Sequence, residues 1–198
     1  MIRKSGTVKG LICDGNMTDV EALRKISDTP ENITEIISTK QIYPSPGRGH
    51  RIVIIDFGMK HGILRNFTRR DCNIIVMPHH VSGKEVFNQH PDGIVLSGGP
   101  GNPYDLPYAV ELIKEFLGKV PVFGIGLGHQ LLAIACSLSV EKMQTGHRST
   151  SHPVKELVSD KVLLTSQNHG YTVIKESVEN TEMEITHLSL HDGRGVKT

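Results

Sequence analysis

The residues of this chain best arranged to do chemistry are Val122-Phe123-Gly124-Ile125-Gly126-Leu127-Gly128-His129-Gln130. A buried apolar strand runs into a tight glycine turn and then into the start of a helix. That is the form of a nucleophile elbow, a strained strand-to-helix turn that presents one reactive side chain to a cleft. The reactive position falls at Gly126, which has no side chain. The frame of a hydrolytic site is present without its attacking atom. Other residues do not replace it. Cys136 lies at the end of the apolar stretch Leu131-Leu132-Ala133-Ile134-Ala135, on the order of 15 Å along the helix from the turn, and reads as a buried, inert thiol. His129 and His169 can hydrogen-bond within a cleft, and His152-Pro153 has Glu156 nearby. None of these histidines has a nucleophile at the turn to activate, so each reads as structural. A plainer reading of Gly126 is that it permits close helix–strand packing.

The elements that must hold this turn follow from periodicity. From Arg51 on, apolar strands alternate with amphipathic helices. Strands are expected at Ile52–Ile55, Ile74–Met77, Ile94–Leu96 and Val120–Phe123. Helices are expected around Ile63, Leu64 and Phe67, over Lys84–Gln89, around Ala109, Leu112, Ile113 and Phe116, and over Leu127–Cys136. Continuous apolar strands suit a parallel sheet covered on both faces. The rhythm therefore predicts an α/β fold, a mainly parallel open sheet flanked by helices. Ligands bind such sheets at the carboxyl ends of the strands. The loop Ser97-Gly98-Gly99-Pro100-Gly101 and the turn at 124–128 both fall there. Beyond residue 140 shorter strands are expected, at Val162–Thr165, Thr172–Ile174 and Met183–Thr186.

Residues 1–42 differ in character, with an apolar run at Val8–Ile12 and a helix-like stretch at Asp19–Ser27. They are too few to bury a good core alone. Residues 43–50 carry two prolines and two glycines without an apolar period, which predicts a linker. The main domain is expected over 51–198.

Of the 198 residues, 37% are hydrophobic and 22% charged, with a net charge of +1. That balance gives no field to attract nucleic acid or a membrane surface. No apolar run reaches the roughly 20 residues of a membrane span, and the first residues lack the apolar core of a signal peptide. Cys13, Cys72 and Cys136 are widely spaced and odd in number, as expected of reduced thiols in a cytoplasmic protein without a metal site.

Six groups occur in order: Asp56-Phe57-Gly58-Met59-Lys60, Leu96 to Pro103, Gly124 to Gln130, Gly146-His147-Arg148, His152-Pro153-Val154 and Ser166-Gln167-Asn168-His169-Gly170. Together they resemble the small, glutamine-hydrolysing subunit of carbamoyl phosphate synthase, a class I, triad-type glutamine amidotransferase. The resemblance runs through the whole chain, with residues 1–42 similar to the end of that subunit's N-terminal domain. It implies a flavodoxin-like sheet and a glutaminase whose ammonia passes to a large subunit, where ATP and magnesium act. No cofactor is implied in this chain. The product would serve pyrimidine or arginine biosynthesis. In the family a cysteine at the elbow attacks the glutamine amide, a histidine is its base and a glutamate orients the histidine.

By motif match, Gly99, Gly101, Leu127, Gln130, Asn168, Gly170 and Tyr171 would line the glutamine pocket. The N–H of Leu127 and one N–H of the glycine loop would hold the oxyanion. Gly126 stands where the family has its cysteine, and the family's His-Pro-Glu group falls past Thr198. The expectation is a chain with no member of the triad, unable to hydrolyse glutamine. The alternatives are a non-catalytic scaffold that binds a partner, or a fragment without a role of its own. A sheet short of covering elements is also expected. Gly62 opens a helix where a capping Asn would serve better, and Ser149 and Ser151 replace residues the family favours.

Overall fold

The computed structural model describes residues 9–13, 15–28, 33–179, 181–193 and 195–197. Val8 of the expected apolar run lies outside them, and residues 9–12 have no regular structure. Helix α1 (Asp19–Ser27) is opened by a capping box, with the Thr18 hydroxyl accepting from Glu21 N–H and the Glu21 carboxylate accepting from Thr18 N–H. Helix α2 (Ile33–Ile37) follows.

Strands β1 (Tyr43–Ser45), β2 (Arg51–Asp56), β3 (Asn73–Pro78), β4 (Gly93–Leu96) and β5 (Val122–Gly124) form one sheet in the order β1-β3-β2-β4-β5. All neighbours are parallel except β1, which pairs antiparallel with β3. Residues 43–45 are thus an edge strand rather than linker. Pro44, which cannot donate to a ladder, is tolerated at such an edge. Strand β5 starts at Val122, two residues later than the apolar run suggested.

The crossovers are α3 (His61–Thr68), α4 (Gly83–Phe87), α5 (Pro107–Phe116) and α6 (Leu127–Ala135). Helix α3 opens at His61, one residue before the expected Gly62, and its cap residue Lys60 makes no side-chain cap bond. One core lies between the sheet and α4–α6, around Val53, Ile55, Leu96, Ile113, Phe116 and Leu131. The opposite face buries Ile54, Ile74, Val76 and Val95 against Leu64 and Phe67 of α3. Because β2 is flanked by β3 on one side and β4 on the other, the chain reverses direction across the sheet there. That leaves a crevice at the carboxyl ends of β2 and β4.

The second half corrects the expectation of short strands. Strands β6 (Val140–Glu156) and β7 (Val162–Val173) form one long antiparallel hairpin, joined by β8 (His187–Ser189) and β9 (Gly195–Lys197) in the order β7-β6-β8-β9. Residues 183–186 are not a strand. The pairing begins one residue later, at His187. A small cluster of Ala133, Leu138, Val140 and Val173 fixes the base of this hairpin to α6.

Candidate functional site

Strand β4 ends in Ser97, whose hydroxyl accepts from Phe57 N–H at 2.9 Å and donates to the Gly98 carbonyl at 2.9 Å. Ser97 N–H in turn donates to Ile55 C=O at 3.0 Å. The glycine loop is thus tied to the end of β2. Asp56, mostly buried, accepts from Gly58 N–H (2.9 Å), Met59 N–H (2.7 Å) and Thr39 N–H (2.8 Å). That brings the segment after α2 over the same sheet edge. The Thr34 hydroxyl donates to the Pro100 carbonyl at 3.4 Å, beside Gly101.

The turn at 124–128 stands next to this loop. Gly126 has φ +55° and ψ −112° and is the N-cap of α6. Such a backbone strains any residue but glycine. Gly128 is fixed by space. Its N–H reaches Ser97 C=O at 3.1 Å and Ile125 C=O at 3.0 Å, and a β-carbon there would run into the Leu96 carbonyl oxygen. Packing this tight lets the first turn of α6 face the cleft, where the Leu127 N–H and the positive end of the helix dipole favour a polarised carbonyl or an anion.

The third wall comes from the hairpin. Gln130 Nε2 donates to Tyr171 C=O at 3.1 Å. Tyr104 O–H donates to Val140 C=O at 2.9 Å and accepts from Val140 N–H at 3.1 Å. Together these enclose a cleft of about 1020 Å³. Gly99, Gly101, Gly126, Leu127, Gln130, Asn168, Gly170 and Tyr171 all line it. The structure brings every sequence-derived pocket position to one place.

His129 and His169 also line the cleft. Burial lowers the pKa of each, with His169 adding to the effect on His129. His169 Nδ1 donates to Tyr171 C=O at 2.8 Å, and its Nε2 lies 3.1 Å from Gln167 Oε1. Both ring nitrogens are occupied, so His169 is positioned as a strut rather than as a base. His152 stands elsewhere, stacked on His147 with ring centroids 4.1 Å apart and its Nε2 3.0 Å from Ser189 Oγ. Cys136 caps the far end of α6, where burial raises its thiol pKa, which keeps it protonated and unreactive.

Sequence reasoning gave no site role to the cations Lys60, Lys142 and Arg148, which line the cleft. Lys60 and Arg148 end two of the recognised motifs, which was the available signal. Lys142 sits between the two halves of an irregular strand and left none.

Residues 53–197 match the family glutamine amidotransferase class-I. The chain is 54% identical over 195 residues to a carbamoyl phosphate synthase small chain from Bacillus caldolyticus, covering 98% of this chain and 54% of that one. It is also 54% identical to the pyrimidine-specific small chain of Bacillus subtilis, covering 97% and 53%. The chain thus spans about half the length of the curated relatives it matches. Among solved structures it resembles a glutamine amidotransferase from Thermotoga maritima (TM-score 0.56, 20% identity, 75% of this chain and 70% of that one). Another from Methylobacillus flagellatus is similar (TM-score 0.56, 18% identity, 74% and 63%). At those identities the likeness concerns the fold.

Proposed function

The chain belongs to the glutamine amidotransferase class-I family, and from that premise we propose that it is a carbamoyl phosphate synthase small-subunit homologue that holds glutamine without hydrolysing it. One observation carries this reading: Gly126 occupies the elbow, at φ +55° and ψ −112°, in a cleft whose remaining walls are built. A glutamine side chain laid over the turn would direct its carbonyl at the N–H of Leu127 and the loop of Gly99 and Gly101. Gln130, Asn168, Gly170 and Tyr171 would close around the rest. Hydrolysis needs a nucleophile at residue 126 to form the thioester, and a hydrogen atom cannot supply an electron pair.

In this reading the partner is the large subunit, to which ATP and magnesium belong, and the product feeds pyrimidine or arginine synthesis in the cytoplasm. Calorimetry with L-glutamine, alongside an assay for released ammonia, tests it. Binding is expected, with ammonia no higher than in a blank. Ammonia release would overturn the disarmed site, and absence of binding would overturn the glutamine pocket.

A second reading, a partner-binding module without a ligand, is favoured by exposed apolar side chains. Leu163 and Leu164, adjacent on β7 and outside the cleft, are 44% and 71% exposed. Gel filtration with and without the large subunit distinguishes the two. A complex that forms equally well in glutamine-free buffer and in an Asn168→Ala variant supports the module.

A further inference from the structure

Strand β3 ends at two adjacent histidines, His79 and His80, opposite Glu35 of α2. They lie apart from the glutamine cleft. His79 is 2% exposed, whereas His80 and Glu35 reach the surface. Its Nδ1 is hydrogen-bonded to the phenol of Tyr108. The other nitrogen, Nε2, is buried and makes no hydrogen bond. Glu35 Oε2 lies 2.9 Å from it, but off the line a ring N–H would need. With Nδ1 held by Tyr108, the Nε2 atom faces the Glu35 carboxylate.

The third donor is in place. The rings of His79 and His80 meet edge-to-face, 5.1 Å apart at 84°. One donor atom each from Glu35, His79 and His80 lies within 4.8 Å of the others. Around a tetrahedral zinc ion, with bonds of about 2.0–2.2 Å, donor atoms stand roughly 3.3 Å apart. A small rotation of the exposed His80 and Glu35 side chains closes that difference. Two imidazoles and one carboxylate are a donor set that borderline transition metals favour. The Tyr108 phenol supplies the outer hydrogen bond that orients a ligating histidine. Lys40 is an opposing charge beside the site. Its Nζ sits 3.7 Å from Glu35 Oε1, on the carboxylate oxygen turned away from His79.

We propose that Glu35, His79 and His80 form a binding site for a divalent transition-metal ion of the zinc class, with a fourth position open to water. Its role is structural. Thr34 bonds the Pro100 carbonyl, Ser38 Oγ accepts from His79 N–H at 3.4 Å, and Thr39 N–H reaches Asp56. A metal held by Glu35 would therefore clamp α2 and its following turn onto the ends of β2 and β3 and steady the glycine loop.

The test uses the full chain, stripped with a chelator and titrated with zinc chloride by calorimetry and with cobalt(II) chloride by visible absorption. A single equivalent is expected, with cobalt bands of a tetrahedral nitrogen–oxygen site that zinc bleaches, and a melting temperature that rises with zinc. His80→Ala and Glu35→Gln change surface side chains and should leave the metal-free fold intact. Each should weaken zinc binding by more than about tenfold and abolish the cobalt bands. His147→Ala, in the separate histidine group of β6, should leave binding unchanged. No binding by the unaltered chain, equal affinity in the His80 and Glu35 variants, or loss in the His147 variant would each overturn the proposal.

Discussion

A β-carbon built on Gly126 stands 3.7 Å from the α-carbon of Gly98, an ordinary van der Waals contact. The cleft therefore has room for a side chain at residue 126, and only the positive φ opposes one. Gly126→Cys is expected to fold, at a cost of about 1–3 kcal/mol from the strained backbone. It should react with an alkylating reagent at that thiol. It should still release no ammonia from glutamine, because His169 of the cleft has both ring nitrogens engaged by Tyr171 and Gln167 and is not free to serve as the base a thiol needs. Mass spectrometry after alkylation, and an ammonia assay, check both halves. A thioester with glutamine in this single variant would contradict the account.

Gly128 marks the opposite case, in which space rather than φ forbids a side chain. Its β-carbon would collide with the Leu96 carbonyl oxygen, a backbone atom that cannot swing away. Gly128→Ala should push α6 off β4 and cost about 3 kcal/mol, the upper part of the usual overpacking range. Urea denaturation, compared with the unaltered chain, measures it. A midpoint unchanged within error would mean that the turn is looser than its hydrogen bonds to Ser97 and Ile125 imply.

The contrast between the two halves of the chain shows what a sequence can reveal. In the first half, Val53–Ile55 and Ile94–Leu96 are buried on both faces, so the apolar runs mark the strands directly. The elbow was legible because glycines at 124, 126 and 128 answer three separate local demands. Strand β6 was not, because its pairing with β7 shifts register between Lys142 and His147 and again between Ser149 and His152. Each shift breaks the period-2 alternation that would identify a strand. Edge strand β1 was hidden by Pro44, which reads as loop unless the neighbour is known. The pocket glycines and Gln130 were placed by motif. The tie from Tyr104 to the hairpin has no sequence signal, since its partner Val140 lies 36 positions away.

Tyr104 should therefore matter more than its 53% exposure suggests. Its hydroxyl both donates to and accepts from the Val140 backbone, joining the loop after β4 to the base of the hairpin. Tyr104→Phe removes both bonds while keeping the ring. A loss of about 1–2 kcal/mol is expected, from two hydrogen bonds each worth about 0.5–1.5 kcal/mol with part of the loss offset by water. Hydrogen exchange should quicken at Val140 more than at residues of β2. Uniform quickening, or none, would count against a local tie.

Acidity should loosen the fold near neutral pH. Burial lowers the pKa of His129, His152 and His169 below 6.5. His147 and His191 lower His152 further, against a raising effect of Asp192. For His169 the Tyr171 carbonyl raises the value, while His147, His152 and Arg148 lower it. The unfolded chain thus binds protons at these sites that the folded chain refuses. Their contribution to stability is complete above about 6.5 and is lost as pH falls through the lower folded-state values. The capping carboxylates Glu21 and Glu85, held below their ordinary 4.5, titrate too low to produce the effect. Urea midpoints from about pH 8 to about pH 5 should fall, beginning near pH 6.5. His169→Gln keeps a polar side chain beside Tyr171 and Gln167 and should flatten part of that slope. A midpoint that holds steady or rises on acidification would show that the folded chain does not hold these histidines below their unfolded pKa.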